Sequence, residues 1–254
     1  LLSTKRGMSD MSGQLHTEKR GRVAVLTLDD TERRNALSLE LVDAIVEAIA
    51  QCEADDEVGA VVVTGAEPAF CSGADVAALN ALSGSGSTSG DVRNIYAGFL
   101  SVRDCTLPTV AAVNGPAVGA GFNLALACDI RVASPNARFD SRFARIGLHP
   151  GGGHAWMLER AVGPQVAAAM VLASERLDGR EAETRGLVWR CVPEDQLLDV
   201  AVQLATQAAE VPRDLSRAIK QTLKDAPWQP DLASAVVSEW ERQQLSFGKR
   251  GPEA

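Results

Sequence analysis

The chain lacks an excess of positive charge: 25 lysines and arginines stand against 33 aspartates and glutamates, for a net charge of −8. That balance argues against a nucleic-acid partner held by phosphate neutralisation, though not against one phosphorylated small molecule held by a few local Lys or Arg residues. Long hydrophobic runs are also missing. Apolar stretches break every few residues, so no segment is suited to span a membrane. The five cysteines (Cys52, Cys71, Cys105, Cys128, Cys191) are odd in number and widely spaced, without a C-x-x-C pair. Neither a disulfide framework nor a zinc site is indicated and no metal is expected; the reading is buried thiols in a reducing cytoplasm. Leu1 to Gln14 has no apolar core of a secretory signal, and residues 1–18 read as a disordered segment or an expression remnant.

What is present is ordinary for a globular protein: 46% hydrophobic and 23% charged residues over 254 positions, enough for one large domain. Val23 to Leu28 reads as a first strand on a β-branched background. After a polar turn at Asp29 to Asn35, Ser38 can cap a helix with Leu41, Ile45, Ile49 and Cys52 on one stripe. Ala60 to Thr64, Val110 to Val113 and Ile130 to Ala133 are short apolar runs of the kind buried on both faces of a parallel sheet. Strand, turn and helix-compatible sequence alternate, which predicts an α/β core. Ser83 to Gly90 is nearly free of side chains to bury, as expected of a surface loop or an active-site flap. From about Pro164 the pattern turns helical, with helices predicted at Gln165 to Leu172, Asp178 to Gly186, Asp195 to Ala209 and Leu232 to Leu245. The expected division is a core over 19–195 and a helical packing or oligomerisation region over 196–254.

Two turns carry the chemistry. Pro68-Ala69-Phe70-Cys71-Ser72-Gly73-Ala74-Asp75 and Val113-Asn114-Gly115-Pro116-Ala117-Val118-Gly119-Ala120-Gly121-Phe122-Asn123 each follow a strand and open a helix. Small residues admit a ligand close to the main chain, and unpaired N–H groups at a helix start favour developing negative charge. Two such groups on one oxygen make an oxyanion hole. Asp75 reads most simply as a helix cap. Leu124 stands where a dinucleotide fingerprint needs a small residue, and Ser72 is not in a G-x-S-x-G elbow.

Arg34-Asn35-Ala36-Leu37, Ala69-Phe70-Cys71-Ser72-Gly73-Ala74-Asp75, Ala112-Val113-Asn114-Gly115 and Ala127-Cys128-Asp129-Ile130 occur in the order and spacing of the crotonase (enoyl-CoA hydratase/isomerase) family, which the chain resembles over roughly residues 20 to 225. The resemblance implies a spiral of ββα units, a helical trimerisation region and a trimer or dimer of trimers. It implies an acyl-CoA thioester as ligand, with coenzyme A part of the substrate and no separate cofactor. The thioester carbonyl would lie between the N–H groups of Ala74 and Ala120. Ala36, Asp75, Val76, Ala77, Gly119 and Phe143 would line the substrate path, and Arg33 or Arg34 would meet a CoA phosphate or simply be solvated.

The departures from the family pattern concern proton transfer. The two glutamates that family hydratases use fall on Asn123 and Phe143, and a third acidic position used by some isomerases falls near Gly151. Asparagine can hydrogen-bond a water or a carbonyl but is no base near neutral pH, and phenylalanine does neither. His149 is the replacement base carried forward, with His154 its alternative; otherwise they are a turn histidine and a first-turn helix histidine. Asp140 either reaches inward or pairs with Arg138 or Arg142, and Tyr96 reads as packing. A protease of the related spiral fold would need a nucleophile with a properly placed histidine and aspartate, and no such set stands at recognisable spacing. The chain also ends soon after Phe247-Gly248-Lys249-Arg250, so adenine contacts from that end are not expected. Two functions follow as expectations: a cytoplasmic enzyme of fatty-acid or related acyl-CoA metabolism, lyase or isomerase in type, with hydration by an unusual base, isomerisation and thioester cleavage all left open, or a non-catalytic acyl-CoA carrier.

Overall fold

The computed structural model describes residues 13–75 and 90–247. The expectations for Val76, Ala77, the loop at 83–89, residues 1–12 and the end from Gly248 lie outside the described residues.

The first strand is one that hydrophobic patterning does not reveal. β1 (Gln14–Arg20) is polar and mostly exposed, and it pairs antiparallel with β2 (Val23–Asp29). The expectation of disorder through residue 18 is corrected from Gln14 onward, because main-chain pairing to a buried strand orders a segment whose side chains bury little. β3 (Ala60–Gly65), β4 (Thr109–Val113), β6 (Ile130–Ala133) and β9 (Arg190–Cys191) extend the sheet in parallel, in the order β1-β2-β3-β4-β6-β9. β3 and β4 are buried at every position, which is why they read as continuous apolar runs.

Alternate residues of these strands face two different layers. On one side Leu26, Leu28, Val61 and Val63 meet α1 (Leu39–Ala54), which starts where the Ser38 hydroxyl accepts the Leu41 N–H at 3.2 Å. α2 (Gly90–Asp104) packs against α1 and against α3 (Ala120–Ala127), whose every residue is buried. On the other side Val23, Val25, Val62, Val110 and Val132 are covered by Leu197, Ala201, Ala205 and Ala209 of α6 (Leu197–Ala209). The first helix of the 196–254 region therefore completes the core. α7 (Arg213–Asp225) is tied to that core by Lys220, 6% exposed, which reaches Leu107 O at 2.7 Å and Asp129 at 2.6 Å. α7 and α8 (Leu232–Phe247) leave Ile219, Leu223, Val236, Trp240 and Leu245 exposed.

A second sheet of β5 (Pro116–Val118), β7 (Arg138–Asp140) and β8 (Arg176–Asp178) lies in the order β5-β7-β8. It holds the chain on both sides of α3's start. α4 (His154–Leu172) breaks at Gly163, φ 76° and ψ 169°, just before Pro164. A residue before proline avoids the helical region, so the sequence shows only the second half of this helix clearly. α5 (Gly179–Thr184) opens with a capping box between Asp178 and Glu181.

Candidate functional site

Asn35 organises the first of the two turns. Its side chain is fully buried, its backbone is left-handed at φ 58°, and asparagine tolerates that conformation better than most residues. The amide oxygen accepts the Asp30 N–H at 2.8 Å, and the amide nitrogen donates to Ala66 O and Ala69 O, each at 2.7 Å. One side chain thus holds the end of β2 against the turn that follows β3. The strap continues through main-chain bonds: Leu37 N–H to Gly73 O at 2.7 Å, Asp75 N–H to Leu37 O at 3.1 Å and Ser72 N–H to Arg34 O at 3.0 Å. Ser72 Oγ donates to Arg33 O at 2.8 Å, so its hydroxyl is used in the strap.

The second turn locks onto the first. Cys71 N–H donates to Pro116 O and Val118 N–H donates to Cys71 O, both at 3.0 Å, while Gly119 N–H donates to Asp140 O at 2.9 Å. Contact is close enough to require glycine. A Cβ on Gly73, φ 111°, would stand 2.9 Å from Val118 O and 3.9 Å from the Ala120 nitrogen; one on Gly121 would stand 2.1 Å from Cys71 O. These bonds consume the N–H groups of residues 71, 72, 75, 118 and 119. The N–H groups of Ala74 and Ala120 have no acceptor among the described residues. Ala120 is the first residue of α3, and its N-cap Gly119 (φ 53°) has no side chain to occupy that end.

The remaining expected residues are placed as follows. Ala36 is 7% exposed and leads into the Leu37–Ala74 bridge. Asp75 Oδ2 lies 3.7 Å from Arg33 Nη1; the helix that Asp75 was expected to cap falls in the undescribed segment. Phe143 is half-buried, with its ring centroid 5.1 Å from that of His154 and its edge 3.8 Å from where a Gly119 Cβ would be. Asp140 is 2% exposed, accepts the Arg142 N–H at 2.8 Å and has Arg142 and Arg145 at 3.4 and 3.7 Å, so it anchors a turn. Tyr96 packs on Phe99, and a Cβ on Gly151 would stand 2.3 Å from its hydroxyl. The third acidic position therefore has no room for a carboxylate unless Tyr96 moves.

Asn123 and the histidines depart from expectation. Asn123 is fully buried, and Nδ2 donates one of its two N–H groups to Gly151 O at 3.0 Å while Oδ1 lies 2.7 Å from His154 Nδ1. His149 is exposed and its Nδ1 meets Pro150 O at 2.8 Å, so the structure does not bring it into this network. His154 takes that place, 1% exposed, with its Nε2 2.8 Å from Ser141 Oγ. Ser141 was not singled out from sequence. It lies 13 positions from His154, which lies 31 from Asn123, and only the first-turn position of His154 offered a hint.

The polarity of this chain follows from its ends. Gly151 O can only accept, so Nδ2 of Asn123 faces it and Oδ1 faces the imidazole. His154 Nδ1 must then carry a proton. Burial pulls the His154 pKa down to about 4, so the ring is neutral at pH 7, Nε2 has a lone pair and the Ser141 hydroxyl donates to it. Because the native ring resists protonation and the unfolded one titrates near 6.5, its contribution to stability is complete above about pH 6.5 and is lost as pH falls towards 4. At 1.36 kcal/mol per pH unit the loss amounts to ~3 kcal/mol. Urea midpoints of the wild type and His154→Gln between pH 4.5 and 7 check this: the wild-type midpoint should fall more steeply on the acid side.

Burial also pushes the Cys71 and Cys128 thiols up to about 12, so neither supplies a thiolate at neutral pH. No cluster of His, Cys, Asp and Glu able to hold a metal occurs among the described residues. No described helix is long and apolar enough to cross a membrane. A groove of about 520 Å³, lined in part by Trp156, Arg160, Ile219 and Lys224, opens at the C-terminal end of α3, away from the two turns.

This architecture has close counterparts. Residues 18–245 match the family model described as enoyl-CoA hydratase/isomerase. The chain is 45% identical over 235 residues to "Probable enoyl-CoA hydratase EchA14" of Mycobacterium tuberculosis, covering 91% of this chain and 88% of that protein. It is 33% identical over 232 residues to "Probable enoyl-CoA hydratase, mitochondrial" of Dictyostelium discoideum, covering 91% and 82% of the two chains. The crystal structure of an enoyl-CoA hydratase from Polaromonas sp. JS666 superposes with a TM-score of 0.85 at 30% identity, covering 92% of this chain and 91% of that one. With its paired turns, its two sheets and these matches along nearly its whole length, the chain belongs to the enoyl-CoA hydratase/isomerase family and has the crotonase fold.

Proposed function

We propose that this protein binds an acyl-CoA thioester and polarises its carbonyl between the N–H groups of Ala74 and Ala120. The observation that carries the reading is their state: both lack an acceptor among the described residues, while the N–H groups around them are spent in holding the turns together. Paired donors fixed before the ligand arrives need little reorganisation when charge develops on the oxygen. Ala36, Asp75, Val76, Ala77, Gly119 and Phe143 would line the acyl and CoA path, with no cofactor beyond the CoA of the substrate. The exposed apolar side chains of α7 and α8 support a homotrimer or dimer of trimers, and a cytoplasmic location is part of the same proposal.

Hydration at an ordinary rate is not part of the proposal. Phe143 offers no proton, and the amide of Asn123 is neither an acid nor a base near neutral pH. Each missing general acid or base is worth ~10²–10⁴-fold. Purified protein should bind crotonyl-CoA while removing its enoyl absorbance that much more slowly than a two-glutamate hydratase. Ordinary hydratase turnover would overturn the assignment of the acid–base positions; failure to bind CoA thioesters would overturn the function itself. The Asn123 and Phe143 pair, which leaves both acid–base positions without a carboxylate, also favours a second reading, a non-catalytic acyl-CoA carrier, which predicts binding with no change to any bound thioester.

A further inference from the structure

The mechanism of a carbonyl-polarising site makes no use of Ser141, His154 and Asn123, yet these three side chains form a continuous buried line with one defined polarity. Ser141 Oγ is 2.8 Å from His154 Nε2, and His154 Nδ1 is 2.7 Å from Asn123 Oδ1. Asn123 lies one turn into α3 from Ala120, and its N–H donates to Gly119 O at 3.0 Å. Ser141 directly follows Asp140, whose carbonyl accepts the Gly119 N–H. The line thus wraps the end of α3 that carries the unpaired Ala120 N–H. From this geometry we infer that Ser141 is an acyl-accepting nucleophile, His154 its base and Asn123 the residue that orients the base, so that the protein cleaves CoA thioesters to carboxylic acid and free thiol. The inference rests on the thioester-binding reading above.

An asparagine defeats such a relay when its amide nitrogen faces the imidazole and imposes the wrong tautomer. Here Gly151 O takes the amide nitrogen, which leaves the oxygen for Nδ1–H. In the first step Ser141 Oγ bonds to the thioester carbon and its proton passes to His154 Nε2. The carbonyl oxygen becomes an oxyanion held by the N–H groups of Ala74 and Ala120. The C–S bond then breaks, and the sulfur leaves with the proton from Nε2 as the CoA thiol. In the second step a solvent water gives a proton to Nε2 as its oxygen bonds to the acyl carbon. The Oγ–C bond breaks, Ser141 recovers the proton and the carboxylic acid departs. Ser141 is 2% exposed, so access to Oγ needs a movement, and Phe143, half-buried two residues on and packed on His154, is the side chain placed to give way.

The test uses the full protein with acetyl-CoA and butyryl-CoA, a thiol-reactive dye and mass spectrometry of acid-quenched samples. Wild type should release CoA thiol and carry one acyl group on the peptide containing Ser141. Ser141→Ala should lose the adduct, Ser141→Cys should retain one, and His154→Gln should slow its formation by ~10²–10⁴-fold. Asn123→Asp should shift the acid limb of the pH–rate profile upward, because a carboxylate stabilises the imidazolium; a merely structural contact would not move that limb. Binding of butyryl-CoA and of its carbonyl-free thioether analogue separates the two readings. If either binds but wild type shows neither thiol release nor adduct, or if Ser141→Ala releases thiol as wild type does, the relay is overturned and the binding function stands. If neither binds, both fall.

Discussion

Ala120→Pro is expected to reduce turnover of a CoA thioester by about 10²–10³-fold while the protein remains folded. Backbone donors are hard to delete, but this one stands at the first position of α3, where proline is best tolerated because the N–H has no partner within the helix. The preceding residue presents no conflict. Gly119 has φ 53° and ψ −113°, the mirror image of the extended conformation that precedes proline, open to glycine alone. The proline ring would remove the donor and place a carbon where the thioester oxygen is proposed to sit. Turnover, and the ratio of affinities for a thioester and its thioether counterpart, are the measurements. Wild type should prefer the thioester and the variant should lose that preference. Equal behaviour of the two proteins would show that Ala120 does not hold the carbonyl.

Gly121→Ala, one residue further on, is expected to destabilise the whole domain. The added Cβ would lie 2.1 Å from Cys71 O, 2.7 Å from Cys71 C and 2.8 Å from Cys71 Cβ. Two of those atoms are main chain in a turn pinned by bonds to Pro116 and Val118, so no side-chain rotation relieves the contact. The two turns must separate, or α3 must shift within a core where all its residues are buried. Overpacking of this kind costs about 3 kcal/mol or more, which for a chain of this size lowers Tm by roughly 6–12 °C. Calorimetry reads the shift. Gly21→Ala is the control: its φ is also positive, at 60°, but the space around it is open, so it carries backbone strain without the clash. A Gly121→Ala Tm no lower than that of the control would show that the turns are not in the contact described.

The sequence was informative wherever the fold constrains side-chain size or requires a particular cap. Val23 to Leu28 and Ala60 to Thr64 announce themselves because strands buried on both faces have little room for anything but small or β-branched apolar residues. Ser38 marks the start of α1 because an unpaired N–H needs an oxygen within reach. The glycines and alanines of the two turns are legible for a related reason: close approach of two backbones excludes larger side chains. β1 was missed because pairing of main-chain groups leaves no trace in side-chain character, and α4 was given bounds only over its second half, with no more than a first-turn position for His154 before it, because Gly163 and Pro164 interrupt its pattern.

Ala74 and Ala120 could be proposed as N–H donors from the sequence, since a backbone donor is independent of which side chain follows it. The state of the acid–base positions was not. Only the fold brings Ser141 and His154 to Asn123 and turns His149 out to solvent. Those residues share neither strand nor helix, and no periodicity connects positions 123, 141 and 154. Their hydrogen bonds form where the second sheet, α3 and the start of α4 meet. A meeting of separate elements is set by packing across the whole core, which is why tertiary structure alone decided what Asn123 touches.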